Sequence, residues 1–372
     1  MSLLSLFINV MCAAEKSIEY IGEHGHTAWL PLVRKIKQQI ATDPTLTPEY
    51  PPILGIPEFT RRATELALGK DSPAIMESRV FGVQTVGCTG AVHLGAELLR
   101  SCYCSNSLVL VGTFKAAGIE DVHHYRYWDA ESNGVCVENM VHDLENAPER
   151  CMVDLFASGH RPTGAELSQE NWKRVAEVMM RQLFPFFLMS AQGLCSGSLE
   201  QDAWPVRHCV SLGLELLCAQ SFSHNFGLYG ERVGHLLCVL KQNLLAVRSQ
   251  MNKCPRLSNL LCKNRPEIKN CSFYYSANES EVFLRQESVK AIAEHCMLIR
   301  ERLRERLRLL GGPWHWDHII KPGGLYSQQV EFLVQKKHIY LLSNGCLNVS
   351  AINSRNLDYI AESIHQALSS QL

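Results

Sequence analysis

The stretch "SFSHNFGLYGERVG" (221–234) gathers residue types that hold anions. Ser221 and Ser223 offer hydroxyls and Arg232 offers a guanidinium fork. A bound phosphate needs such groups together with free backbone amides at the start of a helix. The segment "GCTGAV" (87–92) offers Thr89 and the amides around it. Taken singly, each segment also reads as ordinary turn chemistry, because serine, threonine and glycine favour turns for local reasons. Taken together they define a candidate phosphate site. His224 stands in the middle of the longer stretch. Its imidazole is a competent general base near neutral pH, but it carries no primary amine and cannot form an imine.

Other candidate chemistry is weaker. His24 and His26, His123 and His124, and "HWDH" (315–318) lack partners at zinc-ligand spacing, so no metal site is expected. The fifteen cysteines form no CxxC and no even framework, which in a chain of 372 residues reads as reduced, mostly buried thiols in a cytoplasmic protein. A net charge of -1 supplies no basic field for nucleic acid or an anionic membrane. No run of residues is long and apolar enough to span a bilayer. The start, "MSLLSLFINVMCAAEK", could pass for the apolar part of a signal peptide. It lacks a basic lead, and Cys12-Ala13-Ala14 is a poor cleavage site, so it reads instead as an apolar arm packing on the body or on a partner.

The elements that must position these residues follow from periodicity. "AWLPLVRKIKQQIA" (28–41) is helical, and the prolines of "TDPTLTPEYPPILG" break it. "GVQTVGCTGAVHLGAELLRSC" reads as a strand end, a glycine-rich turn and a helix opening near Ala91. "SLVLVG" (107–112) reads as a short buried strand, "QENWKRVAEVMMRQL" (169–183) as a helix and "FPFFLMS" (184–190) as an apolar strand. A further helix, a strand into Ser221 and the strand "VGHLLCVL" (233–240) follow. This alternation predicts an α/β fold with a mostly parallel sheet. Residues 254–285 show no clear period and read as a loop-rich insert or a poorly ordered segment. From 286 the chain changes character. Val289, Ile292, Cys296, Ile299, Leu303, Leu307 and Leu310 make one apolar face of a long helix that Gly311 can stop. "QQVEFLVQKKHIYLLSNGCLNVSAI" then predicts helix, strand, turn, strand in a smaller α+β domain.

The motifs "EYPPILGIPEF", "ALGKDSPA", "YRYWD", "DLENAPE", "RPTG", "LCAQSFSHNFGLYGERVG" and "KKHIYLL" closely resemble those of the cytosolic aspartate aminotransferases, in the same order. The resemblance runs from about Trp29 to about Met251 and from about Arg302 to the C-terminus. It implies the fold type I architecture of enzymes dependent on pyridoxal phosphate (PLP), with a mostly parallel seven-stranded sheet in a large domain and a small α+β domain. The implied division is an arm and part of the small domain at 1–27, a large domain at 28–285 and a small C-terminal domain at 286–372. It also implies a homodimer with two active sites at its interface, and the arm from Ser5 to Val10 would cross to the partner.

Position by position, the resemblance implies a kept half and a changed half. Thr89, Ser221, Ser223 and Arg232 match the family's phosphate cup, with Cys88 crowding it slightly. Tyr50 matches a residue that reaches the neighbouring subunit's phosphate. Arg256 matches the arginine for the substrate's distal carboxylate, although its setting "KCPRLSN" departs from the family. Both also read as interface or surface residues left by descent. His224 takes the position of the lysine that forms the Schiff base. Leu188 takes that of the aspartate paired with the pyridine nitrogen, a charge-assisted bond worth roughly 1.5–3 kcal/mol. Ala191 and Arg161 take those of the tyrosine and asparagine that bond the ring oxygen, and Cys346 that of the arginine clamping the α-carboxylate. The segment that carries the ring-stacking tryptophan is missing between "SLVLVG" and "FKAAG".

The family activity is amino transfer between L-aspartate and 2-oxoglutarate. The changed positions imply that here it is strongly impaired or absent, with PLP bound non-covalently or not at all. Two other readings stand beside this one. One is an inactive subunit that pairs with an active aminotransferase. The other is a binder of phosphate ligands that uses the kept cup and His224.

Overall fold

In the computed structural model, the structure describes Lys35 and residues 38–39, 41–42, 44, 52–100, 105–106, 111–129, 134–160, 165–181, 183–241, 247–249, 251, 279–311, 327–341 and 349–369. The N-terminal arm and most of the helix expected at 28–41 lie outside them.

The described chain opens with α1 (Pro57–Leu68) and α2 (Pro73–Met76), each with proline in its first turn, where the missing N–H costs nothing. Then come β1 (Val80–Val86), α3 (Gly87–Leu99), β2 (Ser105–Asn106), α4 (Val111–Ala116) and β3 (Val122–His123). A two-stranded ribbon, β4 (Trp128–Asp129) and β5 (Gly134–Val135), leads into α5 (Val137–Glu145). Strands and helices then alternate through β6 (Met152–Phe156), α6 (Gln169–Met179), β7 (Phe184–Met189), α7 (Leu199–Ser211), β8 (Leu216–Ser221) and β9 (Val233–Val239). Serine hydroxyls cap two of these helices: Ser168 accepts from the Asn171 amide and Ser198 from the Gln201 amide.

Seven strands form one sheet in the order β1-β9-β8-β7-β6-β2-β3. β9 runs antiparallel to both neighbours, and the other pairings are parallel. Both faces are covered, so the central strands are buried at every position, as "FPFFLM" requires. Alternate side chains enter opposite layers. Phe187, Met189 and Cys218 pack with Trp172, Val175, Val206 and Cys209 of α6 and α7. Phe186, Leu188, Leu217 and Ala219 pack with Ala91, Val92, Leu99 and Phe114 of α3 and α4.

A separate core lies in the last part of the chain. Ile299, Leu303 and Leu307 of α8 (Glu279–Leu309) pack with Val330 and Leu333 of α9 (Ser327–Lys337) and with Ile360 and Ile364 of α10 (Leu357–Ser369). The helix thus includes residues 279–285, which read in the sequence as aperiodic. Gly311, in the left-handed region at φ +78, follows it as expected.

Four local expectations are corrected. The helix expected near Ala91 begins at Gly87, because Gly87 turns the chain at φ +65 and its amide is held by the Arg232 carbonyl. Of the strand expected at 107–112, residues 107–110 lie outside the described residues, and Val111 and Gly112 belong to α4, while Ser105–Asn106 just before are strand. Residues 338–341 form no strand: His338 is left-handed, and the Ile339 amide bonds back to the Leu333 carbonyl, a helix-ending motif. Val349–Ala351 is a 3-10 turn because Asn356 donates to the Ala351 carbonyl and accepts from the Asn353 amide, overriding local strand preference.

Candidate functional site at the carboxyl ends of the strands

In a parallel sheet covered on both faces, ligands bind beyond the carboxyl ends of the strands. Here β6, β7 and β8 end side by side, with Phe156 opposite Leu188, Leu188 opposite Ala219 and Met189 opposite Gln220. Antiparallel β9 begins at that same edge, with Gly234 opposite Ser221, and Val86 at the end of β1 lies opposite Val233. The two segments read in the sequence as candidate anion binders therefore meet.

They meet through backbone. The Gly87 amide donates to the Arg232 carbonyl at 2.7 Å. A Cβ on Gly234 would lie 2.2 Å from the Gly87 carbonyl oxygen, so only glycine permits this approach. A Cβ on Gly87 would lie 2.9 Å from Nη2 of Arg232, which puts the guanidinium at the N-terminus of α3. Arg232 itself is left-handed at φ +50, a conformation that costs a non-glycine residue roughly 1–2 kcal/mol. Ser221 and Ser223 are buried, and the Ser223 amide donates to Ser221 Oγ at 3.3 Å. Thr89 and Arg232 are exposed. This half gathers on one edge the groups that an anion cradle needs: helix amides, two hydroxyls and a guanidinium.

His224 follows directly, half-buried, with its ring edge-on to Tyr229 at 5.5 Å between centroids. Its turn is tethered. Asn225 donates through Nδ2 to the Gln192 carbonyl at 3.2 Å, and Gln192 Nε2 donates to the carbonyls of Leu66 and Leu199. Asp202, on α7, accepts from the amides of Gly193, Cys195 and Ser196 and so fixes the loop after β7. Burial raises the pKa of that carboxyl, and the amide bonds partly offset the rise. Neither the Asn225–Gln192 tether nor the Asp202 cap was foreseen from the sequence. An asparagine beside His224 and an aspartate in a first helical turn were the only hints.

The other half of the edge is apolar. Leu188 is 2% exposed and belongs to the layer of Phe186, Leu217 and Ala219, with Phe156 and Cys88 packed against that layer. Cys88 donates its thiol to the Ala219 carbonyl at 3.6 Å. Ala191 is half-buried in the turn after β7, and its carbonyl accepts from the Leu194 amide. His160, also unforeseen as a site residue, stacks on Tyr127 at 3.8 Å and meets the edge of Phe156 at 5.1 Å. Burial pulls its pKa down to about 4, so the ring is neutral at neutral pH. Tyr50, Arg161, Arg256 and Cys346 lie outside the described residues. Among the described residues no group of histidine, cysteine and carboxylate side chains could hold a metal ion.

PLP fits this edge only in part. Its phosphate suits the cradle. Its ring nitrogen would have an apolar wall where the chemistry asks for a carboxylate, and its aldehyde would have an imidazole where the chemistry asks for an amine. These residues do not support covalent PLP chemistry.

The model of the aminotransferase class I and II family matches residues 19–364. The chain is 42% identical to the cytoplasmic aspartate aminotransferase of Gallus gallus, over 94% of this chain and 90% of that protein. It is 37% identical to the cytoplasmic aspartate aminotransferase of Caenorhabditis elegans, over 94% and 89%. Among solved structures it is similar to an aromatic-amino-acid aminotransferase from Burkholderia pseudomallei covalently bound to pyridoxal phosphate, at 30% identity and a TM-score of 0.86 over 98% and 96% of the two chains. It is also similar to the cytoplasmic aspartate aminotransferase of Giardia lamblia, at 26% identity and a TM-score of 0.90 over 99% and 96%. With a cradle, a sheet order and a family model that agree over most of its length, the chain belongs to the class I and II aminotransferases.

Proposed function

We propose that this chain is an aspartate aminotransferase-like protein that does not transaminate and that holds a phosphate-bearing ligand of the PLP type without a covalent link. The observation that carries the reading is the side chain at 224. An imidazole stands there, in a turn pinned by Asn225, beside an intact cradle. An imine needs a primary amine, and imidazole cannot supply one. Leu188 adds a second obstacle, because a buried leucine keeps no proton on a pyridine nitrogen. The residues that remain do simpler work. Arg232 and the α3 amides hold the anion, Ser221 and Ser223 orient it, and the Asn225 tether sets where His224 stands. The likeness to relatives named cytoplasmic supports the same compartment here, and a homodimer is the assembly that the family resemblance implies.

The test is an assay of the full chain, saturated with PLP, for aspartate-dependent conversion of 2-oxoglutarate. We expect turnover at background. Turnover that rises in proportion to added protein, in a preparation free of other transaminases, would overturn the reading.

A further inference from the structure

The mismatch between the two halves of the edge points to a ligand class. We propose that the cradle takes a phosphate monoester whose body is uncharged and aromatic, and that it discriminates against a protonated pyridine ring. This rests on the reading of the cradle as a phosphate site.

Leu188 is paired with Ala219, two residues before Ser221 on the adjacent strand. With strands about 4.8 Å apart and a rise of about 3.3 Å per residue, Leu188 sits roughly 8 Å from the cradle's first serine. A six-membered ring carried on a phosphomethyl arm spans that distance. Among the described residues the strand ends there are apolar, with Leu188 in the layer of Phe186 and Ala219 and with Phe156 and Cys88 against it, and the turns that follow add the uncharged hydroxyls of Ser158 and Ser190. Two carboxylates, Glu166 in the loop after β6 and Asp202 on α7, face backbone instead. Glu166 accepts from the Gly159 amide at 2.9 Å, and Asp202 accepts from three amides. His160, stacked on Tyr127 and against Phe156, brings no negative charge to pair with a cation. A ring cation placed beside Leu188 would lose water and would find neither of these carboxylates turned toward it, which is unfavourable. A neutral ring would lose nothing and would bury apolar surface.

The test is calorimetry on the full chain with three probes. They are inorganic phosphate, pyridoxine 5'-phosphate (an alcohol, so no imine contributes) and its carbocyclic analogue with C–H in place of the ring nitrogen. The expected result is that the carbocyclic analogue binds at least as tightly as the pyridine compound, and that both bind more tightly than inorganic phosphate. Leu188→Asp should shift the preference toward the pyridine by roughly tenfold or more. Should a melting curve show that variant unfolded, Leu188→Asn, which also supplies an acceptor, should shift it in the same direction. Tenfold preference for the pyridine in the unmodified chain would overturn the inference and leave the cradle standing. Binding of inorganic phosphate but neither ring compound would do the same, as would a folded Leu188 variant with no shift. Binding of none of the three would overturn the reading of the cradle, and this inference with it.

Discussion

The edge beyond the strands has two halves, and they are built differently. The cradle at β8, β9 and α3 is fixed by main chain: the Gly87 amide on the Arg232 carbonyl, and two glycines in close contact. The wall at β6 and β7 is fixed by side chains: Leu188, Phe156 and the His160–Tyr127 stack. The main-chain frame of the cradle tolerates substitution except at its two contact glycines, because an amide is common to nearly every residue. A side-chain site changes its chemistry with one residue. That contrast is what the proposed function predicts of a site whose anion end and ring end are held by different means.

The contrast can be broken most severely at the contact between the glycines. Gly234→Ala would drive a methyl into the Gly87 carbonyl, with main chain on both sides and no side chain to yield. We expect a loss of about 3 kcal/mol in chemical denaturation, together with loss of phosphate binding. Arg232→Gln should separate binding from folding. The guanidinium is exposed, so stability should stay nearly unchanged while affinity for inorganic phosphate falls roughly tenfold to a hundredfold.

A pH titration of stability addresses both halves, since each contains a buried histidine. His235 on β9 meets Gln220 Oε1 through Nδ1 at 2.7 Å, and burial pulls its pKa down to about 3. His160, by the wall, is pulled down to about 4, also by burial. In the unfolded chain both take a proton near pH 6.5, while the folded chain refuses it until pH 4 or below. Their contribution is therefore complete above pH 6.5 and is lost as pH falls toward the folded values. Each should cost roughly 1.5 kcal/mol between pH 6.5 and pH 5. Denaturation curves of His160→Phe and His235→Asn at those two pH values would show it as a smaller acid loss than in the unmodified chain. The smallest effect should come from Asn225→Ala, which removes one buried hydrogen bond and should cost about 1 kcal/mol in the same assay.

The parts legible in the sequence share a physical cause. "FPFFLM" and the face from Val289 to Leu307 are recognisable because burial on two faces, or on one helical stripe, leaves a periodic mark. Ser221, Ser223, Arg232 and Thr89 were legible as a candidate anion site, and the structure brings the two segments that carry them to one edge. What escaped depends on contacts between distant segments. The start of α3 at Gly87 is set by Arg232, and the loop after β7 is set by Asn225 and Asp202. The 3-10 turn at Val349–Ala351 is set by an asparagine side chain rather than by its own apolar residues. The replacement at Leu188 was readable by resemblance, but that it lies within a continuous apolar layer was not.

The central claim is that the cradle holds a phosphate ligand without a covalent bond. The direct measurement is cofactor retention: saturate the full chain with PLP, treat it with borohydride, dialyse against inorganic phosphate and count the pyridoxyl groups left per chain. We expect PLP binding that phosphate displaces before reduction, and no stoichiometric retention after it. One pyridoxyl group fixed per chain at a single residue, resistant to phosphate, would contradict it.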